Sequence, residues 1–330
     1  MACSLPYLVC PPLATGGYAS WFTDADVFRP YVEWVARRHR LPAPGPLDAG
    51  VPGSHPVFVT GGGYVVKFYA PHWGEDARSE RRVYRLLCAV EQSRIPRPAW
   101  RAAGVLFPGE DDWPWPYAVL GRVSGQPWSI VRDQMRRRDR EYMAHRVGAM
   151  VRCLHDVDWH GRGQELAAQS SDRLLDRWRT AAARRASGAA WAHFDLGQAE
   201  DYLTRALSGM PAGVLTHGDI TADHVFVAPG SSGPEITGLI DWADAEIQNA
   251  AYELVVLYAG LFAGESALLT AFRSAYGDGP LFQPGWESRA TAFLLLFPYD
   301  HGPALSKTIP RWEQARTPAA LEELLWRRDY

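Results

Sequence analysis

Several residue types are scarce in this chain of 330 residues. Lysine occurs only at Lys67 and Lys307 and asparagine only at Asn249, whereas arginine is abundant. Any chemistry that needs a lysine therefore has only these two candidates. The four cysteines, Cys3, Cys10, Cys88 and Cys153, are widely scattered, which argues against a disulfide framework and against a zinc site.

Long apolar runs and a strong net charge are also missing. No stretch is long enough to span a bilayer, and the N-terminal segment lacks basic residues and is interrupted by Pro6 and Pro11, so no signal peptide is expected. The net charge of −3 gives no reason to expect a nucleic acid or a membrane as partner. We expect a cytoplasmic globular enzyme with reduced thiols.

The pattern of periodicities divides the chain into two parts. The first contains two β-rich runs, 56–60 and 64–70, on either side of a glycine turn. Most of the rest has helical periodicity, interrupted by two short β-runs after His224. This order predicts an α+β fold with a small β-rich N-terminal lobe, residues 1–123, and a larger, mainly helical C-terminal lobe, residues 124–330.

Lys67 lies in the second β-rich run, and Glu80 lies on the apolar stripe of the helix that follows. A lysine on a solvated strand face is the simplest interpretation. An unpaired carboxylate on an apolar stripe is costly, however, so an ion pair between Glu80 and Lys67 is expected. A lysine fixed in this way can bind phosphate oxygens. The nearby segment from Gly50 to His55 could form a loop of backbone donors over phosphates, although glycine turns are common in any hairpin.

Two aspartates flank the later pair of β-runs. Asp219 precedes the first run and Asp241 follows the second, so an antiparallel hairpin would return both carboxylates to one edge. Asp219 could simply be a turn aspartate. Two carboxylates at one edge repel each other unless a cation lies between them, and a divalent cation with a polyphosphate is one natural occupant.

These residues carry a family resemblance. "HGDITADH" followed by "GLIDWAD" resembles the catalytic-loop and metal-loop pair of the aminoglycoside phosphotransferase family, which is related to the protein kinases. Lys67, Glu80 and the segments "YAVLGRVSGQPW" and "VRCLHDVDW" occur in the family's order, and the resemblance covers roughly residues 45–260. It implies a protein-kinase-like two-lobed fold.

The resemblance also implies roles for single residues. Asp219 would accept or orient the proton of the substrate hydroxyl, Asp241 would hold Mg²⁺ that bridges the ATP phosphates, and Lys67 would contact the phosphates with Glu80 as its partner. GTP is an alternative nucleotide. The other cofactor-binding residues implied are Ser54 and His55 in the loop over the phosphates and Val119, Leu120, Gly121 and Val123 in the hinge that receives the base.

His224 departs from the family pattern, which has asparagine at this position. Three interpretations are open. His224 could bind a metal with altered preference, such as Mn²⁺, because imidazole is a softer ligand than an amide oxygen. It could instead hydrogen-bond Asp219 or a phosphate, or catalysis could have been lost. The last fits worst, because Lys67, Asp219 and Asp241 are all present.

The acceptor is less well specified by the sequence. The candidate substrate-binding residues are Asp244, Glu246, Tyr299 and Asp300, and Tyr252, Glu253 and His301 are further candidates to line the acceptor cleft. Residues 241–330 contain 12 acidic and 7 basic residues, only a mild excess for a polycationic aminoglycoside, and the 14 tryptophans would equally suit a less charged, ring-rich acceptor. We expect an ATP-dependent kinase of an antibiotic hydroxyl. A metabolite kinase, a non-catalytic nucleotide-binding pseudokinase and a metal-dependent hydrolase are the alternatives, and the hydrolase gives no use to Lys67 and Glu80.

Overall fold

The computed structural model describes residues 5–13, 17–89, 95–109, 112–186, 194–195, 198–231 and 233–326. The chain forms two compact units, one of Met1–Tyr84 with Arg97–Ser124 and one of Arg85–Pro96 with Gly125–Tyr330. The sequence had placed residues 85–96 in the first lobe. Residues 85–89 and 95–96 belong to the second unit, where the Leu239 N–H donates to the carbonyl of Pro96 (2.8 Å) and the Arg162 guanidinium donates to that of Ala89 (3.3 Å).

The first unit begins with two helices, α1 (Tyr18–Phe22) and α2 (Ala25–Arg38). The Asp24 carboxylate caps α2 by accepting the N–H groups of Asp26 and Val27, as expected of an aspartate just before a helix. The buried stripe of α2 includes Phe28, which stacks on Phe58 at 5.0 Å between ring centroids. Aromatic contacts of this kind form the core that supports the sheet.

That sheet has five strands, and every neighbouring pair is antiparallel. Its strands lie in the order β1-β2-β3-β5-β4, where β1 is Leu47–Ala49, β2 Val57–Thr60, β3 Tyr64–Phe68, β4 Trp100–Val105 and β5 Pro116–Gly121. A tight turn joins β2 to β3, and Gly63 adopts a positive φ of 79° there, which glycine tolerates. A short 3₁₀ turn (Pro71–Trp73) leads from β3 into α3 (Asp76–Ala89).

The second unit is mainly helical, as the sequence predicts. Its elements are β6 (Gln126–Pro127), α4 (Trp128–Val131), α5 (Arg137–His155), α6 (Gln164–Ala186), α7 (Ala199–Leu207), β7 (Val214–Thr216), β8 (Val225–Gly230), β9 (Gly233–Leu239), β10 (Glu246–Gln248), α8 (Ala251–Val256), α9 (Ser266–Tyr276), α10 (Trp286–Leu296), α11 (Gly302–Thr308) and α12 (Pro318–Trp326). The long helices α5 and α9 pack closely. A side chain at Gly148 would place its Cβ 2.2 Å from the Phe272 carbonyl oxygen, so only glycine permits this approach.

Two small sheets within this unit position the loops that carry Asp219, His224 and Asp241. β7 and β10 form an antiparallel ribbon in which Thr216 pairs with Glu246. β8 pairs with β6 and β9, and Val225 lies opposite Leu239. The predicted α+β fold with a β-rich N-terminal part is confirmed. Among the described residues, no helix is long and apolar enough to cross a membrane.

Candidate active site

Lys67 and Glu80 form a buried ion pair in the first unit. β3 presents the lysine and α3 the glutamate, and Lys67 Nζ donates to Glu80 Oε2 at 2.9 Å. The Tyr69 hydroxyl donates to the same oxygen at 2.7 Å. The lysine side chain is 5 % exposed and the glutamate 0 %, so the predicted pair is present and the solvated-lysine interpretation is wrong. The pair fixes the ammonium group at the end of a rigid strand.

The loop before β2 holds Ser54 and His55. His55 is buried, and its Nδ1 accepts the Ala70 N–H at 3.2 Å while its Nε2 lies 2.9 Å from Asp76 Oδ2. The imidazole therefore connects the loop to the start of α3, and its two nitrogens are used within the protein. Ser54 is half-buried in the adjoining bend. For phosphate binding, this geometry favours the backbone of the loop over the His55 side chain.

The predicted hinge residues lie in and after β5. Val119, Leu120 and Gly121 belong to the strand, and the Gly121 N–H donates to the Ala99 carbonyl at 2.8 Å. Val119 and Leu120 are buried, and Leu120 lies opposite both Val65 and Trp100. Val123 is half-buried beyond the end of the strand. The Gly121 N–H is therefore already hydrogen-bonded to Ala99, whereas Val123 lies beyond the end of β5.

The loop between β7 and β8 contains His217, Gly218 and Asp219. His217 is fully buried; its Nδ1 accepts the Asp219 N–H at 3.2 Å and its Nε2 donates to the Ile240 carbonyl at 3.0 Å, so the imidazole orients the loop through backbone groups. Burial lowers its pKa, which favours this neutral form. Gly218 has φ +76°, and a Cβ there would lie 2.6 Å from the Asp244 carbonyl oxygen, so glycine is required.

Glu253 of α8 holds this loop from behind. Its carboxylate is fully buried and accepts the N–H groups of His217 (2.6 Å) and Gly218 (3.0 Å). His155 of α5 lies next to it, with Nε2 3.8 Å from Glu253 Oε2 and Nδ1 2.7 Å from the Tyr276 hydroxyl. The sequence predicts Glu253 only as a candidate to line the acceptor cleft. Glu253 is the one charged residue of α8 (Ala251–Val256), and this was the available signal for a buried supporting role.

His224 lies between the two aspartates of the predicted hairpin edge. Its Nδ1 is 2.8 Å from the Asp219 carbonyl oxygen and 3.2 Å from Asp219 Oδ2, and its Nε2 is 4.0 Å from Asp241 Oδ2. Burial alone would lower the pKa of His224. The hydrogen bond and charge of Asp219, with the charge of Asp241, outweigh burial and raise the pKa to about 9.

The hairpin of β8 and β9 explains this convergence. The Ile240 N–H donates to the His224 carbonyl at 3.0 Å, which joins the two chain ends beyond the strands. Asp241 then adopts a positive φ of 61°, an uncommon conformation for a residue other than glycine. The structure therefore brings Asp219, His224 and Asp241 together, whereas no group of three or more potential ligands with metal-site geometry occurs in the described part of the chain.

The candidate substrate-binding residues fall into different settings. Glu246 is fully buried and pairs with Arg177 at 2.7 Å and with Arg173 at 3.3 Å, so its carboxylate is not available to a ligand. Asp244 is half-buried. Tyr299 is 46 % exposed, and Asp300 is exposed and accepts the Gly302 N–H at the start of α11. Glu246 is therefore withdrawn as a substrate-binding residue, whereas Tyr299 and Asp300 lie at the surface.

A cavity of about 310 Å³ lies elsewhere in the second unit. Gln248 and Asn249 line it at the end of the β7–β10 ribbon away from His217, together with Trp159 and Met210. Asp219, His224 and Asp241 are not among its lining residues. The cluster of Asp219, His224 and Asp241 is therefore separate from this cavity.

Residues 52–291 match the sequence profile of the Phosphotransferase enzyme family, APH. The chain belongs to this family. Its enzymatic class is small-molecule phosphotransferase, and the predicted aminoglycoside phosphotransferase resemblance is confirmed.

Solved structures show the same fold. The GDP and kanamycin complex of APH(2″)-IIia is 16 % identical, with a TM-score of 0.59 and coverage of 87 % of this chain and 98 % of that chain. The streptomycin–ATP ternary complex of APH(2″)-IIa is 12 % identical, with a TM-score of 0.57 and coverage of 88 % and 96 %. Aminoglycoside-3′-phosphotransferase of type VIII is 22 % identical, with a TM-score of 0.56 and coverage of 82 % and 98 %. These similarities confirm the kinase-like fold.

Proposed function

We propose that the protein transfers the γ-phosphate of ATP to a hydroxyl group of a small molecule, and that this molecule is an antibiotic. The observation that carries the proposal is the convergence of Asp219 and Asp241 on His224, beside a loop that Glu253 and His217 hold in place. Family membership supports the same reaction class. A hydrolase of unrelated fold is excluded by that membership.

Lys67 is the residue assigned to the phosphates. Its ammonium group is held by Glu80 and is positioned by a central strand of the sheet, which suits a point charge for phosphate oxygens. The backbone of the loop at Ser54 and His55 is assigned to the phosphates as well. The base is assigned to the segment from Val119 to Val123.

Asp219 is assigned to the acceptor. Its carboxylate is 21 % exposed and is oriented by the His224 imidazole, so it can accept the proton of a hydroxyl group as that group attacks. The N–H of Asp219 donates to His217, which fixes the backbone behind the carboxylate. Positioning and proton transfer are the main tasks of the protein in phosphoryl transfer.

Asp241 fits a magnesium ion. Its carboxylate is 37 % exposed at the hairpin edge, and Mg²⁺ is commonly bound by one or two carboxylates together with phosphate oxygens and water. When bound, such an ion neutralises the charge that develops on the phosphates. His224 fits less well as a second ligand, because its Nδ1 is bonded to Asp219 and its raised pKa favours the cationic form. The contacts support the interpretation in which His224 orients Asp219.

The proposed acceptor is based on the ligands of solved structures that share this fold. Structures with the same fold are complexes with kanamycin and with streptomycin, which supports an antibiotic as acceptor. A GDP complex among them keeps GTP in the set of nucleotides to be tested beside ATP. A metabolite kinase differs from this proposal only in the acceptor.

A product screen tests the proposal. The protein is incubated with ATP or GTP, Mg²⁺ or Mn²⁺, and single compounds from a panel of antibiotics and hydroxylated metabolites, and mass spectrometry detects products heavier by one phosphoryl group. A phosphorylated antibiotic supports the proposal, and a phosphorylated metabolite alone supports the metabolite kinase. If the protein binds nucleotide but yields neither a phosphorylated product nor hydrolysed nucleotide, the result supports the pseudokinase.

A further inference from the structure

Three carboxylate-bearing residues, in addition to Asp219 and Asp241, belong to segments that pack behind the loop of Asp219. They are Asp244, Glu246 and Glu253, whose segments contact residues 216–218 directly. The Asp244 carbonyl abuts Gly218, the Glu246 carbonyl accepts the Thr216 hydroxyl at 3.1 Å, and Glu253 accepts two N–H groups of the loop. The charges of these residues contribute to the electrostatic potential at an acceptor bound beside Asp219.

Arg177 of α6 balances two of these carboxylates. It donates through Nη1 to Glu246 Oε2 at 3.0 Å and through Nη2 to Glu246 Oε1 at 2.7 Å, a two-pronged arrangement that favours arginine over lysine. Burial alone would lower the pKa of Arg177, but the interactions with Tyr252 and with the carboxylates of Glu246 and Asp244 reverse this and raise it. The guanidinium is therefore a buried cation that is bonded to Glu246 and attracted by the charge of Asp244.

The same arginine also contacts the support of the loop. Its guanidinium carbon lies 5.0 Å from the centre of the Tyr252 ring, and a Cβ at Gly218 would lie 3.4 Å from that ring. Arg173, one turn earlier on α6, adds a second cation 3.3 Å from Glu246. Glu246 and Asp244 together thus carry two negative charges, and Arg177 and Arg173 carry two positive ones.

Glu253 offers no free charge to a ligand either. It is fully buried, both carboxylate oxygens accept backbone N–H groups, and His155 lies 3.8 Å away. Farther along the chain, Glu265 pairs with both Arg132 and Arg140. An ammonium group placed near the loop would therefore have to compete with these arginines for carboxylates that are already compensated.

We propose that Arg177 is a specificity-determining residue, which neutralises the acidic wall behind the Asp219 loop, and that the acceptor is accordingly a neutral or singly charged hydroxyl compound rather than a polycation. This inference rests on the proposed function, since it names the class of molecule that the kinase phosphorylates. The proposed acceptor class differs from kanamycin and streptomycin, which are polycations and are named in two structures that share the fold. Residues 241–330 contain only a mild excess of acidic over basic residues, which agrees with this proposal.

The experiment compares binding of kanamycin, used as a polycationic probe, to three proteins by calorimetry without nucleotide. Arg177→Met removes the buried cation, and wild type and Arg152→Met are the references. Arg152 of α5 pairs with Asp156, and its side chain is 36 % exposed and lies over the Tyr276 ring, so its replacement changes the net charge equally without removing a direct contact to the loop. Arg177→Met is expected to bind kanamycin at least about 10-fold more tightly than either reference at low salt, and 0.5 M NaCl is expected to reduce the gain.

Equal affinities for wild type and Arg177→Met, or an equal gain in Arg152→Met, would overturn the proposal. Arg173→Met provides a second variant in case Arg177→Met does not fold, because Arg173 is 24 % exposed and Arg177 remains paired with Glu246. It should show a smaller gain in the same direction, and no gain would again overturn the proposal.

The product screen distinguishes this inference from the proposed function. Transfer of phosphate to kanamycin or streptomycin in preference to neutral acceptors would overturn the specificity inference and leave the kinase function intact. Absence of any phosphorylated product would contradict the kinase function, whereas the binding comparison uses no nucleotide and remains decisive by itself. Transfer to a neutral or singly charged acceptor supports both.

Discussion

A single nitrogen of His224 holds Asp219 in two ways: Nδ1 lies 2.8 Å from the backbone carbonyl oxygen and 3.2 Å from carboxylate Oδ2. A carbonyl oxygen can only accept, so Nδ1 must carry a proton. The other nitrogen faces Asp241 at 4.0 Å. His224 is therefore placed to orient the carboxylate that is assigned to the acceptor hydroxyl, and this assignment leads to the first prediction.

Asp219→Asn should abolish turnover while nucleotide affinity is retained. An amide cannot accept the hydroxyl proton, and loss of a positioned general base typically costs about 10²–10⁴-fold in rate. Asp241→Asn should weaken nucleotide binding in the presence of Mg²⁺ and leave binding in EDTA unchanged. Steady-state kinetics and calorimetry with each metal condition measure both effects. The same change in ATP affinity in both variants would contradict separate roles.

Lys67→Ala should lose most phosphoryl transfer and should also destabilise the protein. Glu80 is fully buried, and removal of one partner from a buried ion pair typically costs about 3–5 kcal/mol because a charge is left uncompensated. The double variant Lys67→Met with Glu80→Gln removes both charges, so the free energy of unfolding should recover while activity stays lost. Denaturant unfolding and kcat/KM for ATP are measured in parallel. Activity that recovers together with stability would assign Lys67 to structure alone.

Glu253→Gln should lower kcat more than it raises KM for the nucleotide. The carboxylate accepts two loop N–H groups, whereas a glutamine turns one acceptor into a donor and leaves one N–H unsatisfied. We expect a loss of about 1–3 kcal/mol in stability and a roughly 10-fold lower kcat, since about 1 Å of misplacement can cost more than this. Glu235→Gln, in the exposed β8–β9 hairpin, is the control. A normal kcat in a destabilised Glu253→Gln protein would limit Glu253 to a structural role.

Much of this architecture follows from sequence. The spacing of Asp219 and Asp241 around two β-runs predicts a hairpin that brings them together, and the apolar position of Glu80 predicts its ion pair with Lys67. The pairing of Arg177 with Glu246 could not be predicted, because 69 residues separate them and no local period links α6 to β10. Glu246 was consequently assigned to the substrate. Its burial and its two arginines are tertiary facts that a local pattern does not encode.

The contact between His224 and Asp219 also predicts how stability depends on pH. The pKa of His224 in the folded protein, about 9, lies above the value of about 6.5 expected for an unfolded chain. A raised pKa stabilises the fold fully below pH ~6.5, and this contribution is lost as the pH rises through about 9. The shift corresponds to at most roughly 3 kcal/mol. Wild type should therefore be more stable than His224→Asn at pH 6, and the difference should shrink above pH 9.

Denaturant unfolding in EDTA at pH 6, 7.5 and 9.5 measures this difference, and His145→Asn on the exposed face of α5 controls for removal of a histidine in general. The variant His224→Asn also distinguishes the two roles considered for His224. If His224 orients Asp219, His224→Asn should lower kcat/KM but leave the ratio of activity with Mg²⁺ to activity with Mn²⁺ unchanged. If His224 binds metal, asparagine should shift that ratio towards Mg²⁺, because an amide oxygen is the harder ligand. A pH-independent stability difference together with a shifted metal ratio would overturn the orienting role.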